Sequence, residues 1–210
     1  MASNIANQEI FRATNVKRGR LLEYLTIGWN LLEAVIAVGA GIVAGSVSLI
    51  GFGVDSLIEC TSGFALLWRL KEGELGEQRE KFALKLVGIS FLLLGAYIAF
   101  DAAKSLIFRE LPEVSLVGIG IAVLSLIVMP LLAKAKRRVA ANLNSRAMKA
   151  DSRQTDICAY LSAILLVGLG LNALFGWWWA DSVAAFIMLP IIVKEGIEAL
   201  RGETCDDCHG

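Results

Sequence analysis

Two carboxylates stand four residues apart in the run Val54-Asp55-Ser56-Leu57-Ile58-Glu59, inside an otherwise apolar stretch. On a helix this spacing puts both on one face, one turn apart. Close carboxylates away from water repel each other unless a cation lies between them or one is protonated. A bound metal ion or a shared proton answers that demand. The alternative is a pair solvated at the outer mouth or bonded to Ser and Thr neighbours. A second acidic segment, Asp151-Ser152-Arg153-Gln154-Thr155-Asp156, opens another apolar run. Asp156 falls inside the helix expected there and reads as a metal ligand, with Ser152 on the same face at spacing four. Asp151 reads first as an N-cap, since its charge suits a helix N-terminus, and second as a further ligand. In the first apolar run, Asn30 and Glu33 are a possible secondary pair. Glu33 is either a ligand or proton carrier, or the acceptor of an interhelical hydrogen bond.

The chain ends in Cys205-Asp206-Asp207-Cys208-His209. Two thiolates and an imidazole suit Zn²⁺ or Cu(I), but three ligands leave a tetrahedral site incomplete unless a dimer partner completes it. Metal capture and an inert polar end remain the two readings. His209 is the only histidine. Histidine-based acid–base or nucleophilic chemistry inside a membrane is therefore excluded, and no enzyme is expected.

The elements that must position these residues are membrane helices. Of the 210 residues, 56% are hydrophobic and 20 are glycine, which is frequent in membrane helices. Six apolar runs are each long enough to cross about 30 Å of hydrocarbon. They fall near residues 22–44, 48–70, 83–108, 114–133, 151–174 and 177–200. The expected fold is an all-α integral membrane protein, a six-transmembrane-helix bundle. Residues 1–20 form an N-terminal segment, 21–200 the transmembrane domain and 201–210 a tail. Every Lys and Arg except Lys104 and Arg109 falls at one end of these spans, which places both termini in the cytoplasm. Trp177, Trp178 and Trp179 mark an interfacial belt at an outer turn. Gly41 and Gly45 have the spacing that seats a neighbouring helix. Asp181 reads as a cap of the last helix. A formal net charge of zero implies no nucleic-acid partner.

Gly45-Ser46-Val47-Ser48-Leu49 followed by the Asp55–Glu59 pair resembles the second helix of the cation diffusion facilitator (cation efflux) family. That family has an Asp-x-x-x-Asp metal pair, written here with Glu59 in the second place. The segment ending Trp68-Arg69 is similar to the family's short vesicular zinc branch. Helix 5 and Trp179-Ala180-Asp181 resemble the family's last two helices. The family's fifth helix carries His-x-x-x-Asp. If Asp156 is that Asp, the His position is Ser152 and the nitrogen ligand is missing; a one-residue shift puts Asp151 there instead. The resemblance implies alternating access, homodimerisation and exchange of metal for protons, in a form lacking the family's cytosolic C-terminal domain.

Carboxylates must shed protons to bind metal, so metal binding expels protons and protonation expels metal. The family favours Zn²⁺, while an oxygen-rich site also admits Mn²⁺ or Fe²⁺. The expected setting is multi-pass, in a bacterial inner membrane. The rival expectation is a membrane protein that binds or senses metal without moving it.

Overall fold

Lipid offers backbone amides no partner, so a chain this apolar must close its hydrogen bonds within helices. The computed structural model describes residues 2–69, 76–109, 112–143 and 145–201, and helix is the only regular structure among them. The order is α1 Ala2–Ala44, α2 Val47–Arg69, α3 Gly76–Phe108, α4 Leu116–Leu143, α5 Arg146–Phe175 and α6 Trp179–Arg201. Among the described residues, four segments are by themselves long and apolar enough to cross a membrane: Ile10–Ala44, Gly88–Phe108, Leu116–Leu143 and Asp151–Phe175. The other two helices, α2 and α6, have 23 residues each and carry charged side chains, among them Asp55, Glu59, Asp181, Lys194 and Glu195.

Several helices run further than hydropathy predicts. The polar stretch before residue 22 continues α1, and most of the charged stretch 134–149 is divided between α4 and α5. Backbone bonding does not stop where lipid does, because these extensions contain no Pro or Gly cluster to break them. Pro130 and Pro190 lie inside α4 and α6.

The bundle is arranged opposite to a water-soluble one. Large apolar side chains such as Val43, Ile107, Leu116 and Leu174 face outward, while Asn30, Glu33, Asp55, Glu59, Lys136 and Asp181 are buried. An apolar exterior enclosing polar groups is what a lipid solvent selects. Within it α1 packs on α2 and α4, α3 on α6, and α4 on α5, whereas α2 touches α1, α3, α5 and α6. The central place of α2 follows from small residues on its surface. A Cβ on Gly53 would stand 2.9 Å from the Val38 backbone nitrogen.

The glycine pair divides its work. Gly41 seats the start of α2: a Cβ there would meet the Ile50 backbone nitrogen at 2.9 Å and its Cγ1 at 2.7 Å. Gly45 instead makes the α1–α2 turn, with φ of 64°, where a Cβ would touch nothing. Gly41→Val should therefore cost about 1–3 kcal/mol through overpacking, read as a lower unfolding temperature in detergent. Gly28→Ala, a site with open space around it, is the control and should leave that temperature unchanged.

Candidate metal centre

Asp55 and Glu59 project from α2 into a narrow cavity bounded by α2, α3, α5 and α6. Its walls include Phe91, Ile157, Leu161, Ile191 and Ile192, and its other polar side chains are Gln154 and Glu195. Asp55 is 5% exposed and Glu59 4%. Both Glu59 carboxylate oxygens are buried without a hydrogen-bond partner. Two ionised carboxylates about 6 Å apart, at an effective dielectric of 20, repel by about 3 kcal/mol. Burial adds a desolvation cost. A cation supplied to this cavity relieves both costs together.

The α5 residues divide differently from their expected roles. Gln154, Ile157 and Leu161 form the stripe that faces the cavity. Asp156 lies two residues beyond Gln154, about 200° round the axis, and pairs with Arg137 of α4. That pair is partly open, with side chains 26% and 49% exposed. The structure thus brings Asp55 and Glu59 together and does not bring Asp156 to them. Ser152 is buried and donates to the Lys149 carbonyl at 2.7 Å. Asp151 is not the N-cap of α5, which begins five residues earlier at Arg146. Ser145 is the cap, its side chain accepting from the Met148 amide. Asp151 instead accepts from Lys136 Nζ at 2.6 Å.

Glu33 lies in a second polar cluster. It accepts from Ser56 Oγ of α2 at 2.6 Å, from Trp29 Nε1 at 2.8 Å and from Cys158 Sγ of α5 at 3.8 Å. This geometry is that of an interhelical hydrogen-bond centre. Asn30 is fully buried, and neither its amide oxygen nor its nitrogen has a partner. Cys205, Cys208 and His209 lie outside the described residues.

Asp181 does not cap its own helix. From the first turn of α6 its carboxylate reaches the N-terminus of α2 and accepts from Ser46 Oγ at 2.5 Å, Val47 N at 2.9 Å and Ser48 N at 3.4 Å, and also from Ser48 Oγ. A negative charge on otherwise unpaired amides is the favoured arrangement at a helix start. It fixes the end of the helix that carries Asp55 and Glu59.

Sequence reasoning missed Gln154 and Glu195. The signal for both was present. Gln154 precedes Ile157 and Leu161 by three and seven residues, and Glu195 follows Ile191 and Ile192 by four and three, so helical periodicity aligns each with apolar core positions.

Buried carboxylates facing a cavity between helices, inside an apolar exterior, define a polytopic membrane protein with acidic groups in its interior. The comparisons with known proteins narrow the class. Residues 24–203 match the cation efflux transmembrane domain, and the chain belongs to that family. An uncharacterized transporter of Methanocaldococcus jannaschii is 28% identical over 179 residues, covering 81% of this chain and 63% of that protein. Transmembrane protein 163 of Xenopus laevis is 27% identical, covering 88% of this chain and 66% of its own length. A cadmium, cobalt and zinc/H(+)-K(+) antiporter of Bacillus velezensis is 26% identical, covering 88% and 61% respectively. The chain thus spans less than two thirds of the length of these curated relatives.

Proposed function

We propose that this chain carries divalent metal cations across a membrane, binding each ion at Asp55 and Glu59 of α2. The observation that carries the reading is the Glu59 carboxylate, buried with both oxygens unpartnered beside Asp55 and a cavity. Gln154 and Glu195 complete the polar lining and supply oxygen donors from α5 and α6. Family membership supports transport over catalysis. Zn²⁺ is the first candidate substrate, because the Bacillus velezensis relative is named for cadmium, cobalt and zinc. An oxygen-only donor set admits Mn²⁺ and Fe²⁺ as well. Protons are the proposed counter-substrate, since carboxylates exchange the two kinds of cation directly. The proposal extends to a homodimer with both termini in the cytoplasm. A bacterial inner membrane is the proposed location.

The test is Zn²⁺ and Mn²⁺ uptake into proteoliposomes, with Asp55→Ala and Asp156→Ala beside the unaltered chain. Asp55→Ala should remove uptake of both metals. Asp156→Ala should retain most of it, because an exposed ion pair is worth only about 0–1 kcal/mol. Loss in both variants would mean that α5 rotates to bring Asp156 into the site during transport. Uptake unchanged in Asp55→Ala would refute the site, and metal binding without uptake would refute transport.

A further inference from the structure

Lys136 is fully buried, which is unusual for a lysine. Its ammonium, carried by α4, is held by two other helices. It donates to Asp151 Oδ2 of α5 at 2.6 Å, to Glu23 Oε2 of α1 at 3.2 Å and to Thr155 Oγ1 of α5 at 3.4 Å. The Thr155 hydroxyl donates its own proton to the Asp151 carbonyl at 3.1 Å, so its lone pairs are left for the ammonium. An ammonium has three hydrogens, and here it has three oxygen acceptors. The cage has capacity to spare: Glu23 is fully buried, and its Oε1 has no partner.

The lysine head is a compact point charge on a flexible stem, with the charge and approximate size of a potassium or ammonium ion. Two carboxylates and a hydroxyl converging on such a head are the hard oxygen ligands that a monovalent cation takes. We propose that α1, α4 and α5 build a monovalent-cation site and that Lys136 is its tethered occupant. The chain carries its own counter-ion there. It offsets one of the two negative charges that Asp151 and Glu23 bring and joins three helices without drawing an ion from solution. Removing the head while leaving the carboxylates should open the site to soluble K⁺ or NH₄⁺.

The experiment is thermal unfolding of the purified full chain in detergent. Chloride salts of K⁺, NH₄⁺ and N-methylglucamine are compared at equal ionic strength. Unfolding reads the site whether or not the chain moves metal, so its outcome is separate from that of the transport reading. The unaltered chain should unfold at the same temperature in all three salts. Lys136→Ala should unfold about 10 °C lower in N-methylglucamine, since its carboxylates are buried without a counter-charge. That loss should be recovered saturably in K⁺ or NH₄⁺. Glu23→Gln/Lys136→Ala/Asp151→Asn should show no such response. The proposal is overturned if Lys136→Ala behaves identically in the three salts, or if the triple variant responds as strongly as the single one. Should Lys136→Ala fail to accumulate, Glu23→Gln/Lys136→Met/Asp151→Asn should accumulate, because it leaves no charge unpaired. Equal failure of that variant would place the defect in packing and end the proposal.

Discussion

Asp55→Asn combined with Glu59→Gln should abolish metal flux and, at the same time, raise the stability of the metal-free chain. The two effects share a cause. Each carboxylate is buried, and neither Glu59 oxygen has a partner, so the ionised pair is held against both repulsion and desolvation. The amides keep the shape and remove the charge. Relief of about 1–3 kcal/mol should appear as a higher unfolding temperature in the absence of metal. Zn²⁺, which should stabilise the unaltered chain by mass action, should leave the double variant unmoved. Flux should fall to the protein-free background in the same preparation. A variant that is less stable than the unaltered chain, or that still responds to Zn²⁺, would show that these two groups are structural. A gain in stability with loss of flux is the trade expected if the proposed site is kept charged to bind metal.

Asp181→Ala should be among the most damaging single substitutions in the bundle. The carboxylate of Asp181 accepts from two hydroxyls and two backbone amides at the start of α2, and all four donors are buried. Hydroxyls can turn to other acceptors; the Val47 and Ser48 amides cannot. The loss should be about 3–5 kcal/mol, read by denaturation in detergent or by loss of folded protein from membranes. Asp181→Asn keeps one acceptor oxygen and should cost about half as much. A change under about 1 kcal/mol for Asp181→Ala would mean that water takes over the role of the cap. Flux should also drop in either variant, since α2 carries Asp55 and Glu59 from this anchored end.

The legible part of this protein was the part that depends on local pattern. Apolar length gave the six helices, and spacing four gave the shared face of Asp55 and Glu59, because both follow from helix geometry alone. Partner choice across helices was not legible. Asp156 and Asp151 are equally acidic in sequence, yet one pairs with Arg137 near the surface and the other with Lys136 in the interior. Only the rotation of α5 against α4 decides between them. Lys136 was counted among the charges that set membrane orientation, although it is buried among carboxylates. Asp181 sits at a helix start in sequence and serves a different helix start in space. In each case the type of residue was informative, and the address of its partner required the packed bundle.

The first helix runs unbroken for 43 residues, from Ala2 to Ala44. At 1.5 Å per residue it is about 65 Å long, roughly twice the thickness of the hydrocarbon it crosses. A rod longer than the layer it crosses must tilt or extend beyond it, and this one is tied near Asn15 by the side chain of Asn142 on α4. Because that bond joins the two helices well away from Glu33, a tilt of α1 should carry the adjoining part of α4 with it.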